Sequence, residues 1–68
     1  MNIVETIQVN LKHSIDVDGV QEDSFRKSDA SVQVIRHRGD YMSVILKDDR
    51  EIRIPDHNIA AYVKGDDE

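Results

Sequence analysis

Cysteine is absent from the chain, and with it go a disulfide framework and any thiolate metal site. Tryptophan is also missing, and one phenylalanine and two tyrosines are too few to wall an aromatic peptide groove. No apolar run approaches the ~20 residues of a spanning helix, and no basic segment leads into an apolar one near the N-terminus. The three glycines, Gly19, Gly39 and Gly65, fall in expected turns or the tail, so none builds a phosphate-cradling loop. His13, His37 and His57 lie on separate segments without the close spacing of metal ligands. Asp16-Val17-Asp18-Gly19 has half the look of a calcium loop, but the later oxygen ligands do not follow. These absences predict a soluble, cytoplasmic protein that is not an enzyme and carries no metal or cofactor.

What is present is alternation. From Ile3 to Val17 the odd positions read Ile, Glu, Ile, Val, Leu, His, Ile, Val, and the even ones are mostly polar. Period two over such a stretch means extended backbone with one wet face. Fully extended it would span roughly 50 Å, too long for so small a chain, so it bends at a bulge or a three-residue turn. Asp18-Gly19 then marks a turn. Residues 20–31 are polar, with Val20 and Phe25 as isolated apolar anchors, and read as a long solvated loop.

The second half is patterned as a meander. Val32–Arg38 and Tyr41–Lys47 flank Gly39-Asp40, a two-residue hairpin loop with glycine first. That register sets Arg38 opposite Tyr41 and Ile35 opposite Val44. One face then holds Ile35, Met42, Val44 and Leu46, and the other Val32, Val34, Tyr41 and Ile45. A three-residue loop at Asp48-Asp49-Arg50 would place Lys47 opposite Glu51 and Leu46 opposite Ile52. Glu51–Pro55 is a third strand ended by its proline, Asp56-His57-Asn58 a tight turn, and Ile59–Val63 a short last strand. The expectation is one all-β domain over residues 1–63, a strongly bent antiparallel sheet or small barrel of four or five short strands. Residues 64–68 are then a charged, frayed tail.

The stretch Ile54-Pro55-Asp56-His57-Asn58-Ile59-Ala60 resembles the end of an SH3 domain, where an aliphatic–proline turn leads through asparagine into the final strand. Here one extra residue separates proline from asparagine, and the family's aromatic opening motif and groove tryptophan are lacking. The resemblance implies an SH3-like barrel shape and no proline-rich peptide binding.

The formal charge of −5 is uneven. Residues 1–31 carry six acids against three bases, residues 32–63 five of each, and residues 64–68 three acids against one lysine. Such a balance disfavours nonspecific contact with nucleic acid or anionic lipid. The expected function is a protein-interaction module, a regulator or inhibitor of the kind a bacterium or phage encodes. Its contacts would come from Val32, Val34, Arg36, Arg38, Tyr41 and Ile45 on one face and from Asp16, Asp18, Glu22 and Asp23 on another. The acidic set suggests a decoy that fills the basic site of a nucleic-acid-binding protein. Two alternatives stay open: a nucleic-acid binder using Arg36, Arg38, Arg50 and Arg53, and a structural homo-oligomeric subunit. Self-association is plausible for any domain near this length, which buries only about 60% of the surface its unfolded chain exposes.

Overall fold

A computed structural model describes the backbone of residues 3–67 and the side chains of residues 5–65. Among these described residues six strands and one 3-10 turn follow one another: β1 (Ile3–Val17), β2 (Val20–Arg26), β3 (Val32–His37), β4 (Tyr41–Leu46), β5 (Glu51–Pro55), the 3-10 turn Asp56–Asn58 and β6 (Ile59–Asp67). They form two three-stranded antiparallel sheets, ordered β2-β1-β6 and β3-β4-β5. The sheets bend around one core but do not close into a barrel. Val9, Leu11 and Phe25 from the first sheet meet Val32, Ile35, Met42, Val44, Leu46 and Ile54 from the second.

The alternation of β1 produces a single strand of 15 residues in a molecule whose longest dimension is 39 Å. It fits because its register against the neighbours breaks. Against β2, the pairing jumps from Asn10–Ser24 to Ile15–Glu22, so residues 11–14 bulge opposite a single residue, Asp23. Against β6, it slips between Thr6 and Gln8 and again between Asn10 and Leu11. A bulge resets which face a residue occupies. Thr6 is therefore buried while Ile7 is 41% exposed, reversing the expected faces there, and His13 is exposed rather than inward.

The bend at His13 has its own clamp. The buried Asn58 accepts a hydrogen bond from the His13 amide at 2.8 Å and donates one to the His13 carbonyl at 3.1 Å. One side-chain amide thus does for β1 what a neighbouring strand would do, just beyond the Leu11–Ile59 pair where β6 begins.

Three expectations need correction. Residues 20–26 are not loop but β2, which pairs with β1 through the hairpin turn Asp18-Gly19. Both turn residues have positive φ, 54° and 83°, as a type I′ turn demands. The last strand does not stop at Val63. Residues 64–67, expected as tail, pair with Ile3–Thr6 at the start of β1; Glu68 lies outside the described residues. The β4–β5 loop has three residues but begins one position early, at Lys47-Asp48-Asp49. Ile45 therefore faces Glu51, Val44 faces Ile52 and Met42 faces Ile54. Asp49 takes the left-handed position at φ 72°, and its amide bonds to the Leu46 carbonyl. The expected Lys47–Glu51 pair does not form in this register. A slip of this kind keeps every side chain on its own face, so apolar pattern alone does not exclude it.

Candidate functional site

The β3–β4 hairpin follows the expected register, with Val34–Ile45, Ile35–Val44, Arg36–Ser43 and His37–Met42 paired around Gly39 at φ 103°. The outer face of this sheet accordingly carries Arg36 from β3, Arg38 just after it, Tyr41 and Ser43 from β4, and Glu51 and Arg53 from β5. Val32 is the exception. The ladder shifts between Val32 and Val34, setting Val32 opposite Leu46 and turning it into the core at 2% exposure. It is removed from the proposed contact surface, leaving Val34 and Ile45, both half-buried.

At the centre of this face Ser43 is buried although it points away from the core. Its hydroxyl donates to Glu51 Oε2 at 2.5 Å, and Arg53 Nε donates to Glu51 Oε1 at 2.9 Å. Arg53 also lies over the Tyr41 ring, 5.0 Å from its centroid, a cation–π contact. The Ser43 hydroxyl first and the Arg53 guanidinium second hold the Glu51 carboxyl below the usual glutamate range. Glu51, in turn, raises the pKa of Arg53. Tyr41 is therefore not a free aromatic but the floor of an ion-paired cluster. The sequence register sets Ser43 on the face of Arg36, Arg38 and Tyr41 and offers Glu51 as an arginine partner; the bond from Ser43 to Glu51 is the part that neither residue type announces.

The four arginines separate into two states. Arg50 leaves the sheet and reaches from the β4–β5 turn to Asp18 at 2.8 Å and Asp48 at 2.7 Å. Asp18 first, then Asp48, raises its pKa, and the Arg50 amide leads the causes that lower Asp48. Arg53 is held by Glu51. Arg36 and Arg38 are exposed and make no side-chain hydrogen bond or ion pair among the described residues. Arg36, Arg38 and Arg53 thus come together, and Arg50 does not join them.

The acidic residues gather on the β1–β2 arm. Asp16 Oδ1 accepts from the Gly19 amide at 2.8 Å, which makes Asp16 a turn-former. Asp18 holds Arg50, Glu22 is half-buried opposite Ile15, and Asp23 is exposed. Among the described residues no three of His, Asp or Glu are grouped to hold a metal ion.

His37 stands where the two sheets approach. Its Nε2 lies 3.1 Å from Asp56 Oδ1, and its ring stacks on Tyr62 of β6 with centroids 5.3 Å apart. Open clefts lie on either side. One of about 400 Å3 is lined by His37 together with Glu5, Thr6, Arg36, Arg38 and Lys64. The other, of about 350 Å3, runs along Asp56 and residues 59–62.

Set against known proteins, the chain matches no family model, no curated protein and no solved structure. No helix among the described residues is long and apolar enough to cross a membrane.

Proposed function

We propose that this chain is a non-enzymatic protein-interaction module, a small acidic regulator or inhibitor that acts by occupying the surface of a partner protein. The contrast among the arginines carries the reading. Arg50 and Arg53 are tied down by carboxylates, whereas Arg36 and Arg38 stand exposed and form no ion pair among the described residues, Arg38 adding only a longer-range charge effect on Glu51, on a sheet buttressed by the Tyr41–Arg53–Glu51–Ser43 cluster. Arginine and tyrosine dominate interface energies because they combine apolar area with directed donors. A rigid sheet presents them at little ordering cost. Asp16, Asp18, Glu22 and Asp23 on the β1–β2 arm supply a second, acidic contact suited to a basic surface, which is the decoy form of the same idea.

The test compares the wild type with Arg36→Ala/Arg38→Ala and with Arg50→Ala in affinity capture from a lysate of the native cell, read by mass spectrometry. A protein retained by the wild type and Arg50→Ala but lost by the double variant supports the reading, with circular dichroism showing all three folded. Equal retention by the double variant removes it.

A second reading, nucleic-acid binding, is favoured by the placement of Arg36, Arg38 and Arg53 on one face. It requires an affinity for DNA or RNA that falls steeply between two salt concentrations as counterions are released. A native mass measurement separates both readings from a homo-oligomeric subunit.

A further inference from the structure

We infer that β6 is a dimerisation edge: its free side pairs antiparallel with β6 of a second copy, joining two three-stranded sheets into one of six strands. The inference goes beyond the interaction-module reading, since the pairing uses no residue of the arginine face.

Each sheet ends in two edge strands, and an edge offers unpaired amides and carbonyls to any strand that meets it. Three of the four edges are blunted. Strand β2 carries Glu22, Asp23 and Arg26. Strand β5 carries Glu51 and Arg53 and ends on Pro55, which has no amide to donate. Strand β3 packs along β1, with Ile35 fully buried. Strand β6 differs from all of these. From residue 59 to 65 it reads Ile-Ala-Ala-Tyr-Val-Lys-Gly, with a single charged side chain. Residues 60–64 are all exposed, and among the described residues no strand lies beyond β6 in its sheet.

Backbone and side chains both leave this edge unfinished. The Lys27 amide bonds to the Ile7 carbonyl, which assigns Ile7 and Val9 to β2 and turns Gln8 and Asn10 to β6, because successive residues of an antiparallel strand bond to opposite sides. Val63 and Ala61 are the partners of Gln8 and Asn10. The amides and carbonyls of Tyr62 and Lys64 therefore point to the open side. Among the described residues, three of the four exposed large hydrophobics gather here, Tyr62 and Val63 on β6 and Ile7 beside them. Ile7 lies so close to Gly65 that a Cβ there would meet its Cγ2 at 3.2 Å. Ile7, Val63 and the small residues Ala61 and Gly65 thus form one apolar strip that runs to the edge.

The strand is complementary to itself. Antiparallel pairing centred on Val63 sets Tyr62 opposite Lys64 of the second copy, and Lys64 opposite its Tyr62. Both are outward-bonding positions, so each pair exchanges two hydrogen bonds. Lys64 already sits 5.8 Å from the centroid of its own Tyr62 ring, and the same cation–π attraction acts across the new pair. The two Val63 side chains meet at the closer, non-bonded position. Antiparallel order also sends the acidic ends after Gly65 in opposite directions, whereas parallel order would set them side by side. The twofold uses up both β6 edges and leaves the charged β2 edges outermost, which closes the assembly at two copies.

The experiment measures the mass of the full chain by sedimentation from micromolar to millimolar concentration and follows amide exchange over the same range. The expected result is a dimer in which protection of the Tyr62 and Lys64 amides rises with concentration. Val63→Lys should weaken association by about tenfold or more, because two ammonium groups would face each other where two valines had met. Val20→Lys, at the exposed hydrophobic away from this edge, should leave association unchanged. The exchange arm needs no variant, so a Val63→Lys chain that fails to fold leaves the test intact. A monomer at every concentration overturns the inference, including one whose β6 amides become protected only in complex with a captured protein, which would give the edge to a foreign strand. A dimer without protection at Tyr62 and Lys64, association indifferent to a folded Val63→Lys, or assembly beyond two copies also overturns it. Capture through Arg36 and Arg38 is read separately, so the edge and the interaction reading stand or fall independently.

Discussion

The two sheets differ in one pairing: β3-β4-β5 is local throughout, whereas β2-β1-β6 adds to its β1–β2 hairpin a long-range pairing of β1 with β6. In β3-β4-β5 every strand of five or six residues pairs with its neighbour in sequence across a tight turn. In β2-β1-β6 the central strand joins the two ends of the chain, Ile3 to Asp67, and breaks register against both neighbours. Closing short loops costs little entropy and pairing chain ends costs more. The β3-β4-β5 sheet is therefore a local scaffold, and the β2-β1-β6 sheet is a strap held across it by shared core residues, by Asn58 and by the Arg50–Asp18 link. The proposed contacts sit accordingly, with the arginines on the local sheet and the acids on the arm of the strap.

Sharing one core is the property most easily broken. Ile54 is almost wholly buried between the sheets. Ile54→Ala should cost about 2–5 kcal/mol through lost transfer energy and the cavity left behind. For a domain this small that is a large part of total stability, so thermal unfolding by circular dichroism should lose its cooperative transition or drop steeply in midpoint. A variant that melts like the wild type would mean the sheets do not depend on a common core.

Removing the clamp separates the sheets more finely. Asn58→Ala leaves the amide and carbonyl of His13 without their partner, at a cost of about 1–3 kcal/mol where such groups stay buried. Amide exchange should accelerate along β1 and β6, at Asn10 and Ala61 for instance, while β4 amides such as Val44 keep most of their protection. Equal acceleration in both sheets would show a single cooperative unit and erase the distinction between scaffold and strap.

Legibility follows the same division. Where strands are short and turns tight, as in Val32–Leu46, alternation and Gly39 led to the pairing observed, apart from Val32, which one bulge moved into the core. In β1, alternation correctly announced a long bent strand, yet each bulge reset its faces, so Thr6, Ile7 and His13 came out reversed. Bulges leave little trace in composition. Strand β2 was missed because Gln21, Glu22, Asp23 and Ser24 are polar and only Phe25 enters the core; a strand whose hydrogen bonds do the holding looks like loop. The candidate site was legible as a set of arginines beside Tyr41. Which of them are free was not, since that depends on where Asp18, Asp48 and Glu51 land.

The local sheet also carries an acid-sensitive element. Glu51 is held below the usual glutamate range by the Ser43 hydroxyl and by Arg53. Between the lowered folded pKa and the ordinary unfolded one, the unfolded chain binds more protons. Stability from this group is thus complete above the ordinary glutamate range and is lost as pH falls through the folded value. Glu51→Gln should flatten that part of the acid limb in denaturant unfolding measured from neutral pH downward. An acid limb of unchanged slope would assign the sensitivity to other carboxylates.

The smallest effect tests the register slip at the β4–β5 turn. Asp49 sits at φ 72°, where a Cβ is crowded and glycine is not. Asp49→Gly relieves that strain but enlarges the freedom of the unfolded chain, so the two terms partly offset. The net expectation is a gain of up to about 1 kcal/mol, read as a higher denaturant midpoint at unchanged slope. If the turn instead ran through Asp48-Asp49-Arg50, with Lys47 opposite Glu51, the left-handed position would pass to Arg50. Asp49→Gly would then only add unfolded-state entropy and lower the midpoint. The sign of the shift therefore decides between two registers that bury the same residues, which no measure of burial does.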